Sequence, residues 1–83
     1  MNANALRELL RQKPFTPFEL ILSSGDRFPV MHPEMMLLMK ERVLLALPAP
    51  GREELPDRYE TISYLHIAAA SPLETSGAGG GRA

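Results

Sequence analysis

The chain has 83 residues, of which 45% are hydrophobic and 23% are charged, with a formal net charge of −1 and no Cys. The length argues against two domains, and the apolar content is too high for a disordered chain. The near-zero charge gives no global attraction to nucleic acid or anionic lipid, and the absence of Cys excludes disulfides, thiolate metal sites and thiol catalysis.

The first predicted element is a short helix over residues 4–13. Three leucines recur at helical spacing and form one apolar stripe: Leu6, Leu9 and Leu10. Asn2 or Asn4 supplies an N-terminal cap, and Pro14 ends the helix because the residue before a proline is disfavoured from helical geometry. A helix of about ten residues is marginal alone in water, so the stripe must dock on the rest of the chain.

A β-hairpin is predicted next. Residues 18–23 alternate apolar and polar, residues 24–26 form a turn in which Gly25 takes a positive φ, and residues 27–31 return antiparallel. Pro29 cannot donate to a ladder, so we expect its amide side to face outward or to lie at a bulge.

The middle of the chain begins with a break in the strand pattern at residues 32–34, where Pro33 suits the first position of a short helical turn. Residues 35–39 are ambiguous and are interpreted as one helical turn that runs into a short strand. A tight polar turn at 40–41 then leads into an apolar strand over 42–47.

The second half contains one long loop and two further strands. Residues 48–57 carry three Pro and one Gly, which stop both helix and ladder. Residues 58–62 alternate again, a tight turn follows at 63–65, and residues 66–71 form a closing strand. Alanine favours helix, so a C-terminal helix over 61–70 stays open as the alternative.

These elements predict one small domain over residues 1–73, followed by a flexible glycine-rich tail over 74–83. The fold class is mainly β with an N-terminal helix. Strands joined by short turns in so small a chain favour an antiparallel, barrel-like sheet that closes on itself.

Five short features form a pattern that covers about residues 6–70. They are a leading helix, a Pro-Phe-x-Pro-Phe segment at 14–18, a glycine turn at Gly25, a His-Pro-Glu step at 32–34 and a Leu-His-Ile segment at 65–67. Together they resemble a group of short, uncharacterised bacterial proteins. The resemblance implies no biochemical activity.

The predicted order of elements is similar to that of an Sm-like or Src-homology-type small barrel, with 63–65 as the single tight turn before the last strand. Sm-like RNA-binding pockets use an Asp and Asn pair after the second strand and an Arg-Gly step late in the chain. Here residues 31–35 read Met-His-Pro-Glu-Met, and no Arg-Gly dipeptide occurs. The RNA-binding residues therefore do not transfer, and fold analogy alone carries no function.

The only candidate metal or catalytic set is weak and comprises His32, Glu34 and His66. Two imidazoles and a carboxylate suit zinc, but the spacing is not diagnostic. A His-x-Glu step in zinc deaminases needs a Pro-Cys-x-x-Cys partner, which a chain without Cys excludes. Neither a nucleophile elbow nor a phosphate loop is present. We therefore expect no enzyme activity, no metal, no cofactor and no small-molecule substrate.

The candidate partner-binding residues are Met35, Met36 and Met39, together with the helix cations Arg7 and Arg11. Methionine is common at adaptable binding surfaces, although core filling is the commoner role. Open strand edges offer a second route, through β-augmentation. The basic first 13 residues and the acidic segment 51–60 are ordinary solvated faces or, alternatively, patches that steer a partner or a second copy.

The sequence thus favours a non-enzymatic protein-interaction or assembly module that associates with itself, in the cytoplasm. The longest apolar stretch, 35–39, is far below the roughly 20 residues of a membrane span. The alternative is a nucleic-acid-linked regulatory module, which is not favoured because its positive charge is weak. That module would use five basic residues: Arg7, Arg11, Lys13, Arg27 and Arg42.

Overall fold

A computed structural model of the chain describes residues 1–47 and 56–73. This part forms one helix and six strands: α1 (Ala3–Arg11), β1 (Phe18–Leu22), β2 (Arg27–Val30), β3 (Met36–Leu38), β4 (Arg42–Leu47), β5 (Arg58–Ser63) and β6 (Ile67–Pro72). Single 3-10 turns at Pro33–Met35 and Tyr64–His66 precede β3 and β6. The predicted tail, 74–83, and most of the predicted loop, 48–55, lie outside the described residues. No helix in the described residues is long and apolar enough to cross a membrane.

Helix α1 lies where the leucine stripe predicts it. Asn2 is the cap, and its Oδ1 accepts a hydrogen bond of 2.9 Å from the N–H of Ala5. Leu6 is fully buried, whereas Leu9 and Leu10 are partly buried against the core. The helix stops at Arg11, two residues before the predicted end, and the chain is already extended at the following residue. Docking of the apolar stripe therefore holds this short helix in place.

The six strands form two antiparallel three-stranded sheets. Sheet A has the order β2-β1-β6, and sheet B has the order β3-β4-β5. The predicted class, mainly β with an N-terminal helix, is confirmed. The prediction that the sheet closes on itself is wrong, because in the described residues the strands form two three-stranded sheets that do not close into a barrel. The 3-10 turns at Pro33–Met35 and Tyr64–His66 interrupt the chain where one sheet passes into the other.

The core is built from alternate residues of the strands. In β4 the inward positions Val43, Leu45 and Leu47 are buried, whereas the positions between them are more exposed. In β1, Phe18 and Leu20 are buried in the same way. The remaining core positions lie on the other elements: Leu6, Val30, Met36, Ile62 and Ile67.

The C-terminal part forms strands, not the alternative helix over 61–70. β6 pairs with β1 from Phe18 opposite Pro72 to Leu22 opposite Ile67, with a register shift between Ile21 and Leu22. Alanine favours the helix over the other residue types of this segment by less than about 1 kcal/mol per residue. The pairing of β6 with β1 outweighs this preference. The tight turn predicted at 63–65 is present as Tyr64–His66.

The predicted hairpin is also present, and its turn is closed at Gly25. The N–H of Gly25 donates to the carbonyl of Leu22 (2.8 Å), and the N–H of Leu22 donates to that of Asp26 (2.9 Å). Gly25 has a φ of 96°, a value that side chains other than glycine rarely adopt.

Replacing Gly25 with alanine is expected to lower the free energy of unfolding by about 1–2 kcal/mol. A methyl group at this position meets nothing within 4 Å, so the loss comes from backbone strain and not from a clash. Urea unfolding measures the effect, with Gly25→Asn as the matched control because asparagine tolerates positive φ better. Equal stability of Gly25→Ala and the unsubstituted protein would contradict this account.

Candidate interaction surface

Alternate residues of a strand direct their N–H and C=O groups to opposite sides, and we call the choice of side the hydrogen-bond phase. In sheet B this phase is set at the β3–β4 turn. The N–H of Met39 donates to the carbonyl of Arg42 (2.9 Å), so Arg42 and Leu44 direct their peptide groups toward β3. The alternate residues of β4 therefore direct theirs toward β5. There they meet their cross-strand partners: Val43 with Ile62, Leu45 with Glu60 and Leu47 with Arg58.

The outer edge of β5 is consequently formed by the peptide groups of Tyr59, Thr61 and Ser63. A bond from the N–H of Tyr64 to the carbonyl of Glu41 (3.4 Å) continues the same phase. Within residues 1–47 and 56–73, no group bonds to the N–H of Tyr59, Thr61 or Ser63. We call this row of outward peptide groups the open edge.

The edge of β2 is blocked by a proline. The bond between Leu22 and Asp26 makes Leu20 and Phe28 a hydrogen-bonded pair, so Pro29 faces away from β1. Proline has no N–H to offer to a further strand, which is how natural sheets protect an edge. The prediction that the amide side of Pro29 faces outward is confirmed.

The edge of β6 is blocked at both ends. The N–H of Leu73 donates to the carbonyl of Pro17 (3.0 Å), and this phase turns Pro72 away from β1. At the other end the backbone nitrogen of Met1 donates to the carbonyl of Ile67 (3.0 Å). β3 has only three residues. Among the edges that the structure describes, the one at β5 is therefore the longest without such protection.

A cleft of about 470 Å³ runs beside the open edge. One wall is β5 itself, and the opposite wall is the end of the β1–β2 hairpin. Leu22 and Phe28 of the hairpin are half-buried, so the cleft has apolar as well as polar surface. The principal lining residues are Leu22, Asp26, Phe28, Glu60, Ile62 and His66. We call this the hairpin cleft.

A second exposed region surrounds Leu65, whose side chain is 88% exposed. The turn that carries it is fixed by a bond from the N–H of Leu65 to Oγ of Ser63 (3.2 Å) and by one from the Tyr64 hydroxyl to the carbonyl of Met39 (2.6 Å). Hollows of about 450 and 280 Å³ flank this turn. Met39, which accepts that hydroxyl bond, is 45% exposed. We call Leu65 and the first of these hollows the Leu65 surface.

Two of the three methionines predicted to bind a partner are buried. Met35 and Met36 are 7% and 6% exposed, and Met36 belongs to the core cluster. Both follow Pro33, whose 3-10 turn directs this segment inward at the start of β3. Met39 alone stays available to a partner.

The predicted basic residues lie on separate elements. The guanidinium of Arg7 donates to Oδ1 of Asn4, and Arg11 lies exposed in the last turn of α1. Arg27 on β2 forms an ion pair with Glu19 (3.0 Å). Arg42 begins β4 in the other sheet.

The weak metal candidates are not brought together. In the described part of the chain, no group of three or more His, Asp or Glu side chains lies where it could hold a metal ion. His32 precedes the turn of Pro33–Met35 without capping it, and Glu34 lies exposed within that turn. His66 lines the hairpin cleft, and its carbonyl accepts the N–H of Ser23 (2.8 Å).

Sequence reasoning missed both surfaces in detail. Strand edges in general were expected as a route to a partner, but the choice of β5 requires the hydrogen-bond phase of both sheets. The sequence did contain one signal for β5: residues 58–63 contain no Pro, so each of their backbone N–H groups is available as a donor. For Leu65 there was none, because an apolar residue in a closing segment is ordinarily read as core.

Searches of protein-family models, of curated proteins and of solved structures return no match to this chain.

Proposed function

We propose that the protein is a non-catalytic interaction module that binds an extended protein segment at the open edge of β5. The observation that carries the proposal is the outward row of peptide groups at Tyr59, Thr61 and Ser63, which no described residue occupies. An unpaired row of N–H and C=O groups is a template for strand addition.

Binding would extend sheet B by one strand. Main-chain hydrogen bonds, each worth about 0.5–1.5 kcal/mol net, supply sequence-independent affinity. Alternate side chains of the bound segment would then enter the hairpin cleft, against Leu22, Phe28 and Ile62. The cleft also carries Asp26, Glu60 and His66, so it accommodates both apolar and charged side chains at every second position of the partner.

The relation to small barrels is part of this proposal. If β2 and β3 are taken as one strand bent at Pro33–Met35, the combined order is β6-β1-β2/β3-β4-β5. That is a single meander-like sheet whose ends are β6 and β5, as expected for an Sm-like or Src-homology-type architecture. On this view the hairpin cleft is the gap that a closed barrel would lack.

The nucleic-acid alternative has weaker support. Its basic residues are divided among α1, the segment after it that carries Lys13, and the two sheets. Arg27 is already paired with Glu19. A single-strand binding groove combines basic and stacked aromatic side chains, a combination that the lining residues of the hairpin cleft lack.

Photo-crosslinking in cells that produce the protein tests the proposed surface. A photoreactive phenylalanine analogue at position 59 is expected to form protein adducts, because Tyr59 is 67% exposed on β5. The same analogue at Leu37, which is 60% exposed on β3, is the matched control and should form few.

Adding Thr61→Pro should reduce the adducts at position 59 roughly tenfold, since about 1.4 kcal/mol of lost main-chain bonding has that effect. The N–H of Thr61 faces outward, so the substitution removes no bond to β4, and thermal melting checks that the variant folds. Equal adducts at 37 and 59, or adducts that persist in folded Thr61→Pro, would overturn the proposal.

A further inference from the structure

We propose that the segment bound at the open edge is β5 of a second copy. The two strands are antiparallel and related by a two-fold axis that passes between the two copies of Tyr59. This inference rests on the proposed function and names its partner. A two-fold interface must be self-complementary, so every contact has to be satisfied by the same residues from both sides.

The backbone meets this condition. In the proposed register Tyr59 lies opposite Tyr59, and both direct their N–H and C=O groups outward, so they exchange two hydrogen bonds. Thr61 lies opposite Asp57 of the second copy. Among the described residues, outward-facing positions therefore lie opposite each other, and Pro56 falls at a position that needs no outward N–H.

The charges of β5 are self-complementary as well. Arg58 lies opposite Glu60 of the second copy, and the symmetry produces this pair twice. Both side chains are exposed and share one face of β5. They occupy the non-hydrogen-bonded positions, where side chains come closest across an antiparallel pair.

Neighbouring registers lose this complementarity. Moving the axis by one residue along β5 places Glu60 opposite Glu60 or Arg58 opposite Arg58, and like charges directly opposite each other are destabilising. An axis through Thr61 places Glu60 opposite Ile62, and the ion pairs are lost. These registers all place outward peptide groups opposite one another, so charge is what selects the register centred on Tyr59.

The protection of the other strand edges limits the assembly to two copies. Head-to-tail association would require β5 to pair with a different edge and would produce rings or filaments. Pro29 blocks the edge of β2, Pro72 and the Met1 contact to Ile67 block that of β6, and β3 has only three residues. A closed dimer is the expected product.

Sedimentation over a range of concentrations, with two charge reversals, tests this dimer. Glu60→Arg turns both pairs into Arg with Arg, and Arg58→Glu turns both into Glu with Glu. Each variant alone should weaken dimerisation by roughly tenfold or more. An equimolar mixture of the two should regain it as a heterodimer, because each pair again joins Arg with Glu. Glu8→Lys, an exposed charge reversal on α1, is the control and should change nothing.

The outcomes are separable. Dimers that ignore both reversals, a mixture that stays monomeric, or assemblies larger than two copies would each overturn the proposed register. A protein that is monomeric at every concentration would overturn self-association. Adducts of position 59 with a different protein that are lost in folded Thr61→Pro would in that case still support the proposed function. Thermal melting shows whether each variant is folded, as expected for substitutions at exposed positions.

Discussion

Replacing Leu45 with alanine is expected to lower the free energy of unfolding by about 2–5 kcal/mol. Leu45 is fully buried in the central strand of sheet B, between Met36 on β3 and Glu60 on β5. The substitution removes its packing and leaves a cavity where both sheets meet. A domain of this size has a total stability of only about 4–10 kcal/mol, so a measurable fraction of the variant should be unfolded at room temperature.

The matched control is Leu37→Ala, the same change in the same sheet. Leu37 is 60% exposed, so the expected loss is within about 0.5 kcal/mol. Urea unfolding of both variants measures the difference. If Leu45→Ala does not fold, Leu45→Met keeps the volume and should cost less than about 1.5 kcal/mol. Equal losses for Leu45→Ala and Leu37→Ala would contradict the described core.

Leu6→Ala is expected to have the second large effect, a loss of about 2–5 kcal/mol together with detachment of α1. Leu6 is the one residue of the helix that is completely buried. A nine-residue helix does not persist alone in water, so its helical signal depends on this contact and on the Asn2 cap.

Circular dichroism at 222 nm and urea unfolding check the Leu6 prediction. Leu10→Ala is the control, since Leu10 is only partly buried against the same core and should lose less. Detachment predicts that Leu6→Ala loses helical signal at a temperature at which the strands remain folded. A simple two-state loss of both signals would show instead that the helix and the sheets unfold as one unit.

The extent to which the fold follows from the sequence differs between local and long-range features. The helix, the Gly25 hairpin and the turn at Pro33 rest on short-range patterns, such as leucine spacing and backbone geometry, and these were predictable. The division into two sheets was not, because it depends on pairing between residues far apart in sequence. The pairing of β1 with β6 is an example.

The candidate surface follows the same division. Met35 and Met36 look like a surface cluster in the sequence, yet the preceding 3-10 turn directs them into the core. Conversely, residues 58–63 look like an ordinary strand. Their importance depends on which peptide groups face outward, and this in turn depends on the phase set at Met39 and Arg42. A sequence pattern specifies alternation but not the hydrogen-bond phase.

Residue-resolved amide hydrogen exchange at low and high protein concentration tests the open edge of β5 most directly. At low concentration the amides of Tyr59 and Thr61 should exchange fast, whereas those of Glu60 and Ile62, which face β4, should be protected. At high concentration Tyr59 and Thr61 should become protected while Glu60 and Ile62 change little. Unchanged exchange at Tyr59 and Thr61, with slowing at Leu65 instead, would assign association to the Leu65 surface and contradict the account.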